Sequence, residues 1–236
     1  MFKFNSLSVC IPAHNEEKTL RESVKDILQT MSPYIKNIEL IIVSDGSTDR
    51  TPDIAEELAR EYKCVKTIEH EKKSGIGVCY RDALKIATGE YFTWFPADHE
   101  DPASNFIRYL PFIDNETVVT CHRRGQDPRS SFRMLLSYVY TWTLNIYSGL
   151  HLKYYNGTAI YPVSVLRSMP IHSRGILFSA EILIRAHNLG CRIIEVPAVL
   201  KKRTSGKSKI LTPDSVIQIL QDIALLWKNK IKMPSS

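Results

Sequence analysis

The chain has 236 residues, 44% of them hydrophobic, which suits one domain with a sizeable core and excludes a disordered or fibrous polymer. Thirty-one Lys and Arg against 25 Asp and Glu give a net charge of +6 and a pI near 9.0, which favours an anionic partner. Nucleic acid fits poorly, because the basic residues surround carboxylate-bearing loops rather than forming a stripe in a recognisable module.

Leu7 to Ile11 is a short apolar run, followed by Pro12-Ala13-His14-Asn15-Glu16-Glu17 and an amphipathic stretch to about Thr30. Ile38 to Val43 is a second apolar strand that ends in Ser44-Asp45-Gly46-Ser47-Thr48-Asp49, with a helix expected from about Pro52. Asp49 or Thr51 would cap that helix, and Pro52 suits its first turn, where no N–H is needed. Asp45 is expected on the loop just past the strand, where open α/β sheets bind ligands. Val65 to Ile68 reads as a third strand; Gly75-Ile76-Gly77 then opens a helical pattern ending near Thr88-Gly89. Two glycines at this spacing make no dinucleotide fingerprint, and a flexible turn before a helix is the better reading. Tyr91 to Phe95 is a fourth strand, closing in Pro96-Ala97-Asp98-His99-Glu100-Asp101-Pro102, and Val118 to Cys121 is a fifth. Strands alternating with helices at this spacing predict βαβ units in a mostly parallel sheet, with three polar loops on one edge.

These runs carry a resemblance. Pro12 to Glu17, Val43 to Asp49, Arg81-Asp82-Ala83 through Ala87-Thr88-Gly89-Glu90-Tyr91, and Ala97-Asp98 resemble the successive motifs of family 2 glycosyltransferases with the GT-A fold. Phe178 to Glu181, Arg185-Ala186, Gly190 to Pro197 and Arg203 to Lys209 are similar to polyprenyl-phosphate sugar synthases, the group of dolichyl-phosphate mannose synthase. The likeness spans residues 5–212 and implies an α/β, GT-A-type sheet flanked by helices. It implies one catalytic domain over 1–228, with a nucleotide-sugar half at 1–121 and an acceptor half at 122–212, then an amphipathic helix at 213–232.

By this resemblance Pro12, Ala13, His14, Glu16 and Asp45 line a base and ribose pocket, and Arg81 and Asp82 are placed to reach the sugar donor. His14 stands where many relatives carry Tyr, and Ser44 where an Asp is common, which leaves Asp45 as the base or ribose contact. Without the family, Arg81 and Asp82 read equally well as an exposed ion pair. Asp98 and Glu100 lie two apart and suit one Mg2+ or Mn2+ that also grips the donor's diphosphate, which makes Asp98 a catalytic candidate. The family pattern is Asp-Ala-Asp followed two residues later by Gln; Pro96 replaces its first Asp and Glu100 its Gln. The bland alternative is a solvated acidic turn of Asp98, Glu100 and Asp101. Arg123, Arg124, Arg129 and Arg133 form one basic group, and Lys201, Lys202, Arg203, Lys207 and Lys209 another. Guanidinium and ammonium groups suit phosphate oxygens. The resemblance assigns acceptor-phosphate contacts to Arg203, Ser208 and Lys209, with Arg123, Arg124 and Arg133 beside them. Glu181 is a base if the acceptor is a hydroxyl, and otherwise a structural or acceptor-site carboxylate.

The expected activity is inverting transfer of a sugar from a nucleotide-sugar to a polyprenyl (dolichyl or undecaprenyl) phosphate or a membrane-associated glycan. A catalytically silent relative, motivated by Pro96, and a nucleotidyltransferase are the alternatives; the latter would carry a glycine-rich phosphate loop after the first strand. No run reaches the ~20 apolar residues of a spanning helix. Met134 to Leu152 is rich in aromatics and suits an interfacial helix. Val216 to Trp227 has helical periodicity for packing on the body or on a second copy, so a homo-oligomer is open. Cys10, Cys64, Cys79, Cys121 and Cys191 are scattered with no zinc-ligand spacing and read as buried thiols in a reducing compartment. Residues 1–6 are too short for a signal peptide. The expected location is the cytoplasm, peripheral at the inner face of a membrane.

Overall fold

The apolar runs of the first half become neighbouring strands in the computed structural model, which describes residues 5–98, 101–123 and 131–199, for 131–133 the backbone only. The strands are β1 (Ser6–Ala13), β2 (Asn37–Asp45), β3 (Val65–His70), β4 (Tyr91–Trp94), β5 (Thr117–Arg123), β6 (Ala159–Pro162) and β7 (Arg192–Ala198). They form one sheet in the order β3-β2-β1-β4-β6-β5-β7. β1 runs parallel to β2 and β4, β2 to β3, and β5 to β7, while β6 is antiparallel to β4 and β5. The mostly parallel α/β sheet expected from the sequence is therefore present.

Helices cover both faces, so the inner strands are apolar on both sides. Leu7, Val9 and Ile11 of β1 and Leu40 and Ile42 of β2 pack toward α1 (Leu20–Met31), α2 (Thr51–Glu61) and α4 (Ser104–Ile107). Cys10, Ile41 and Val43 turn the other way, toward α3 (Ile76–Ile86), α5 (Ser131–Ser148), α6 (Val163–Arg167) and α7 (Leu177–Asn188). This split follows from the two-residue period of a strand. Helix α1 meets the sheet with Leu20, Val24, Ile27 and Met31, an i, i+4, i+7, i+11 stripe. Pro12 is tolerated in a central strand for a local reason. The Cys10 carbonyl accepts the Phe95 N–H, so residue 12 turns the same edge past the end of β4, where no ladder bond is lost.

Several boundaries differ from the periodicity, each through a tertiary contact. Asp45 is the last residue of β2 rather than a loop residue, because β3 continues alongside and pairs Asp45 with His70. Helix α3 stops at Ile86: the Thr88 N–H donates to Glu39 and the Gly89 N–H to Ser8 Oγ, which removes both from the helix. Helix α5 ends at Ser148, where Gly149 takes a φ of +71°. The Asn145 side chain then binds both backbone groups of Leu152. All five cysteines are free, four of them buried and Cys64 half-buried. The stretch 213–232 lies outside the described residues.

Gly75-Ile76-Gly77 proves to be a docking seam as well as a turn. The Gly77 N–H donates to the Arg174 carbonyl, and a Cβ on Gly77 would be driven into the Ser173 carbonyl. Both contacts are backbone, so neither yields easily. Gly77→Ala is expected to destabilise the fold by about 1–3 kcal/mol. It should appear as a lower urea midpoint with an unchanged m-value.

Candidate active site

The loops after β1, β2 and β4 leave the sheet on one edge, and the first two are stitched together. Asn15, at a left-handed φ of +56°, donates its N–H to Ser47 Oγ, and its side-chain oxygen accepts the Thr48 N–H at 2.8 Å. The Glu16 N–H reaches Thr51 Oγ1 at 2.8 Å, and the Glu17 and Arg50 backbones each bind a carboxylate of the opposite loop. Asp49 accepts both the N–H and the hydroxyl of Thr51. The N-cap position of α2 is Arg50, which makes no side-chain cap bond, rather than Asp49 or Thr51; Asp49, one residue earlier, accepts the Thr51 N–H, and Thr51 is the first helical residue and serves the β1 loop. The polar runs Asn15–Glu17 and Ser47–Thr51 are one cross-linked platform.

Asp45 is the centre of this edge. Its carboxylate is buried, and Oδ1 accepts from His70 Nδ1 at 2.9 Å and the Ser74 N–H at 2.7 Å, while Oδ2 accepts the Gly75 N–H at 2.9 Å. Burial alone would raise its pKa; the His70 contact and the two amides outweigh that and hold the carboxyl below its usual range. The Asp45 carbonyl accepts from His14 Nδ1 at 2.8 Å, so His14 lies across the end of β2. Pro12 and Ala13 close β1 beside it, opposite Val43 and Ser44. Glu16 is tied back to the Thr19 hydroxyl at 2.9 Å. Five of the sequence-named residues therefore share one small region. Gly46 permits the turn after Asp45, with φ +61° and its N–H on the His70 carbonyl.

Arg81 and Asp82 do not pair with each other as the exposed ion pair the residues alone suggested. The Arg81 Nη1 donates to the Ser173 carbonyl at 3.0 Å, and Asp82 meets His70 Nε2 at 3.2 Å and Lys85 Nζ at 2.6 Å. The imidazole of His70 is thereby held between two carboxylates. His70 was not singled out in the sequence, where its only signal was a polar residue ending an otherwise unremarkable strand.

Asp98 lies half-buried on the loop after β4. That loop is fixed to α1 at both ends: Ser23 Oγ donates to the Ala97 carbonyl, and the Ala103 N–H donates to Asp26. The reading of Asp98, Glu100 and Asp101 as a solvated turn fails at Asp101, which is buried. Asp101 accepts from Asn105 Nδ2 at 2.8 Å and Thr158 Oγ1 at 2.7 Å. Burial pushes its carboxyl up despite those bonds and the Arg123 charge, and the Asp98 charge adds to the rise. The sequence missed this anchoring role because an acidic loop residue carries no sign of its burial. Arg123 ends β5 with Nη2 on the Tyr154 hydroxyl at 3.1 Å and its guanidinium 5.1 Å from the Tyr154 ring centre. Asp98 and Arg123 thus approach Asp101 from the same edge. Glu100, Arg124, Arg203, Ser208, Lys209 and the Arg133 side chain lie outside the described residues.

Glu181 is only 1% exposed. Its two oxygens accept from the His172 and Ser173 amides and from Arg185 Nε at 3.0 Å. Both oxygens are therefore engaged by neighbouring groups of the protein. The position of Glu181 inside α7, among buried neighbours on every side, is the reason for its burial.

The family model for glycosyl transferase family 2 matches residues 8–173. The chain belongs to glycosyltransferase family 2. It is 31% identical over 116 residues to a poly(ribitol-phosphate) beta-glucosyltransferase of Bacillus spizizenii, covering 48% of this chain and 18% of that protein. It is 35% identical over 94 residues to the putative glycosyltransferase EpsH of Bacillus subtilis, covering 39% of this chain and 26% of that one. The chain thus spans about a quarter or less of these curated relatives. Its fold resembles glucosyl-3-phosphoglycerate synthase of Mycobacterium tuberculosis, solved with Mn2+, uridine diphosphate and phosphoglyceric acid. The TM-score is 0.72 at 19% identity, over 99% of this chain and 81% of that one. The mostly parallel sheet is the GT-A fold.

The lowered pKa of Asp45 sets a pH dependence. Its ionised form contributes stability in full above the usual aspartate range, and the contribution is lost as pH falls through the depressed folded value. The stability gap between the wild type and Asp45→Asn, read from urea unfolding, should be wide at pH 7 and shrink below about pH 4.

Proposed function

We propose that this protein transfers a sugar from a nucleotide-sugar to a phosphate-bearing, membrane-associated acceptor, a polyprenyl phosphate in the best-supported case. The pocket framed by Pro12, Ala13, His14 and Glu16, with Asp45 as its floor, receives the nucleotide. Its diphosphate extends toward Asp98 across the carboxyl ends of β1 and β4. As the sugar leaves, negative charge grows on the diphosphate; a Mg2+ or Mn2+ held by Asp98 and Glu100 would offset it. Hard oxygen ligands fit that choice, and Asp98, on a loop held to α1 through Ser23 and Asp26, supplies one. The Mn2+, Mg2+ and uridine diphosphate in the structural neighbours' crystals support trying those ions and that base first.

The state of Glu181 carries the acceptor assignment. A sugar hydroxyl must lose a proton to a base during attack. Glu181, the residue considered for that task, is buried and fully engaged. A phosphate monoester is already ionised near neutral pH, so the protein need only position it and balance its charge. Arg123 offers one such charge at the sheet edge. The names poly(ribitol-phosphate) beta-glucosyltransferase and glucosyl-3-phosphoglycerate synthase each contain a phosphate-bearing molecule, which supports phosphate recognition in the acceptor region.

Helix α5 supports a membrane-associated acceptor. Leu135, Tyr138, Val139, Trp142 and Ile146 are all exposed, at i, i+3, i+4, i+7 and i+11, so they form one apolar face. Ser131–Ser148 holds no Asp or Glu, and arginines precede it in the chain. An exposed apolar face with Trp and Tyr beside cationic residues suits the head-group boundary of an anionic bilayer. No helix among the described residues is long and apolar enough to cross a membrane.

Asp98→Ala should reduce sugar turnover from a UDP- or GDP-sugar by at least ~10^2 if its carboxylate holds the ion. Turnover near the wild-type level would remove Asp98 from the mechanism. The protein should also co-sediment with phosphatidylglycerol-containing vesicles. A Leu135→Ser, Trp142→Ser, Ile146→Ser variant should stay in the supernatant, and equal sedimentation of both would exclude α5 as the docking face.

A further inference from the structure

Asp45, His70 and Cys79 place a carboxylate oxygen, an imidazole nitrogen and a sulfur within 4.8 Å of one another. The three come from β2, β3 and α3, and Asp45 and Cys79 are buried while His70 is partly open to solvent. A mixed oxygen, nitrogen and sulfur set is the chemistry of Zn2+ and its borderline neighbours, in contrast to the carboxylate loop at Asp98. Metal–ligand bonds of about 2.0–2.3 Å put such atoms roughly 3.3–3.8 Å apart around one tetrahedral ion. Adjustments of about an ångström would therefore seat the ion, with the 2.9 Å contact between His70 and Asp45 opening to admit it.

A second observation points the same way. Asp82 Oδ2 lies 3.2 Å from His70 Nε2, on the far side of the ring from Asp45. A carboxylate behind a histidine holds the proton on that nitrogen and turns the lone pair of the other toward a metal. Asp45 is oriented as well, by the Ser74 and Gly75 amides. We propose that Asp45, His70 and Cys79 form a Zn2+-class metal site at the floor of the β2 edge, with Asp82 positioning His70. On binding, the Cys79 S–H bond breaks, its proton leaves to solvent, and the sulfur pair forms the metal bond; the His70 ring proton, which faces Asp45 on Nδ1 without metal, is exchanged for one on Nε2, where Asp82 accepts it. Neutral His70 contributes the Nδ1 pair, ionised Asp45 one oxygen, and solvent the fourth position. Without metal, burial and the nearby Asp45 charge keep the thiol protonated, so the ion itself supplies the charge that thiolate formation requires. The site rests on geometry alone and holds whether or not the protein is a sugar transferase.

Co2+ titration of the full chain is the test, because cobalt thiolates show a charge-transfer absorption that oxygen-ligated cobalt lacks. One equivalent of Co2+ should produce that band, and Zn2+ should abolish it. Cys79→Ser, matched to the wild type by circular dichroism, should not show the band, while Asp98→Ala should keep it. Asp82→Asn, a change at a partly exposed residue, should weaken Zn2+ binding by about 10–100-fold. No thiolate band in the wild type at saturating Co2+, or a band that survives in Cys79→Ser, overturns the site.

Discussion

The buried charge of Asp45 is the constraint on which this edge of the molecule depends. A carboxylate removed from water is costly unless its lone pairs are filled. Here the filling groups are His70 and two backbone amides at the start of α3. The N-terminal end of a helix also favours negative charge. Satisfying Asp45 therefore fixes the β3–α3 connection against β2, and through His70 it fixes Asp82 as well. The carbonyl of the same residue orients His14. One residue thus ties the β3–α3 connection, Asp82 and His14 to the end of β2.

A similar logic operates at Asp101. Its burial is tolerated through Asn105 and Thr158, and Asn105 in turn binds both backbone groups of Val199. The β4 loop is thereby tied to the end of β7, on the far side of the sheet order. Asp98 is carried on a loop anchored at both ends rather than on a loose turn, and such anchoring limits the reorganisation that a metal-assisted step would require. Through Thr158, the residue before β6, the same network links the β4 loop to the middle of the sheet.

Much of the fold was legible in the chain. Ile38 to Val43 reads as a buried strand and the stretch up to about Thr30 as an amphipathic helix, and both are present as β2 and α1. The platform of the first two loops was legible as a cluster of small polar residues, though not as a set of hydrogen bonds between them. Strand β6 escaped notice because four residues, Ala159–Pro162, carry too little periodicity to register, and its antiparallel insertion is set by its neighbours. The burial of Glu181 was not legible, because a carboxylate in a helix carries no local sign of it.

The sequence by itself determined the βαβ order, the apolar strands, the polar loops at one edge and the family, since local periodicity and motif spacing are properties of neighbouring residues. Tertiary structure alone decided which side chains became chemistry. Asp45, His70 and Cys79 are separated by 25 and 9 positions, with no recognisable ligand spacing, yet converge within 4.8 Å. Asp101 and Thr158, 57 residues apart, share a hydrogen bond. Such meetings depend on strand register and on which groups lose their water, and neither is written in the local pattern of the chain.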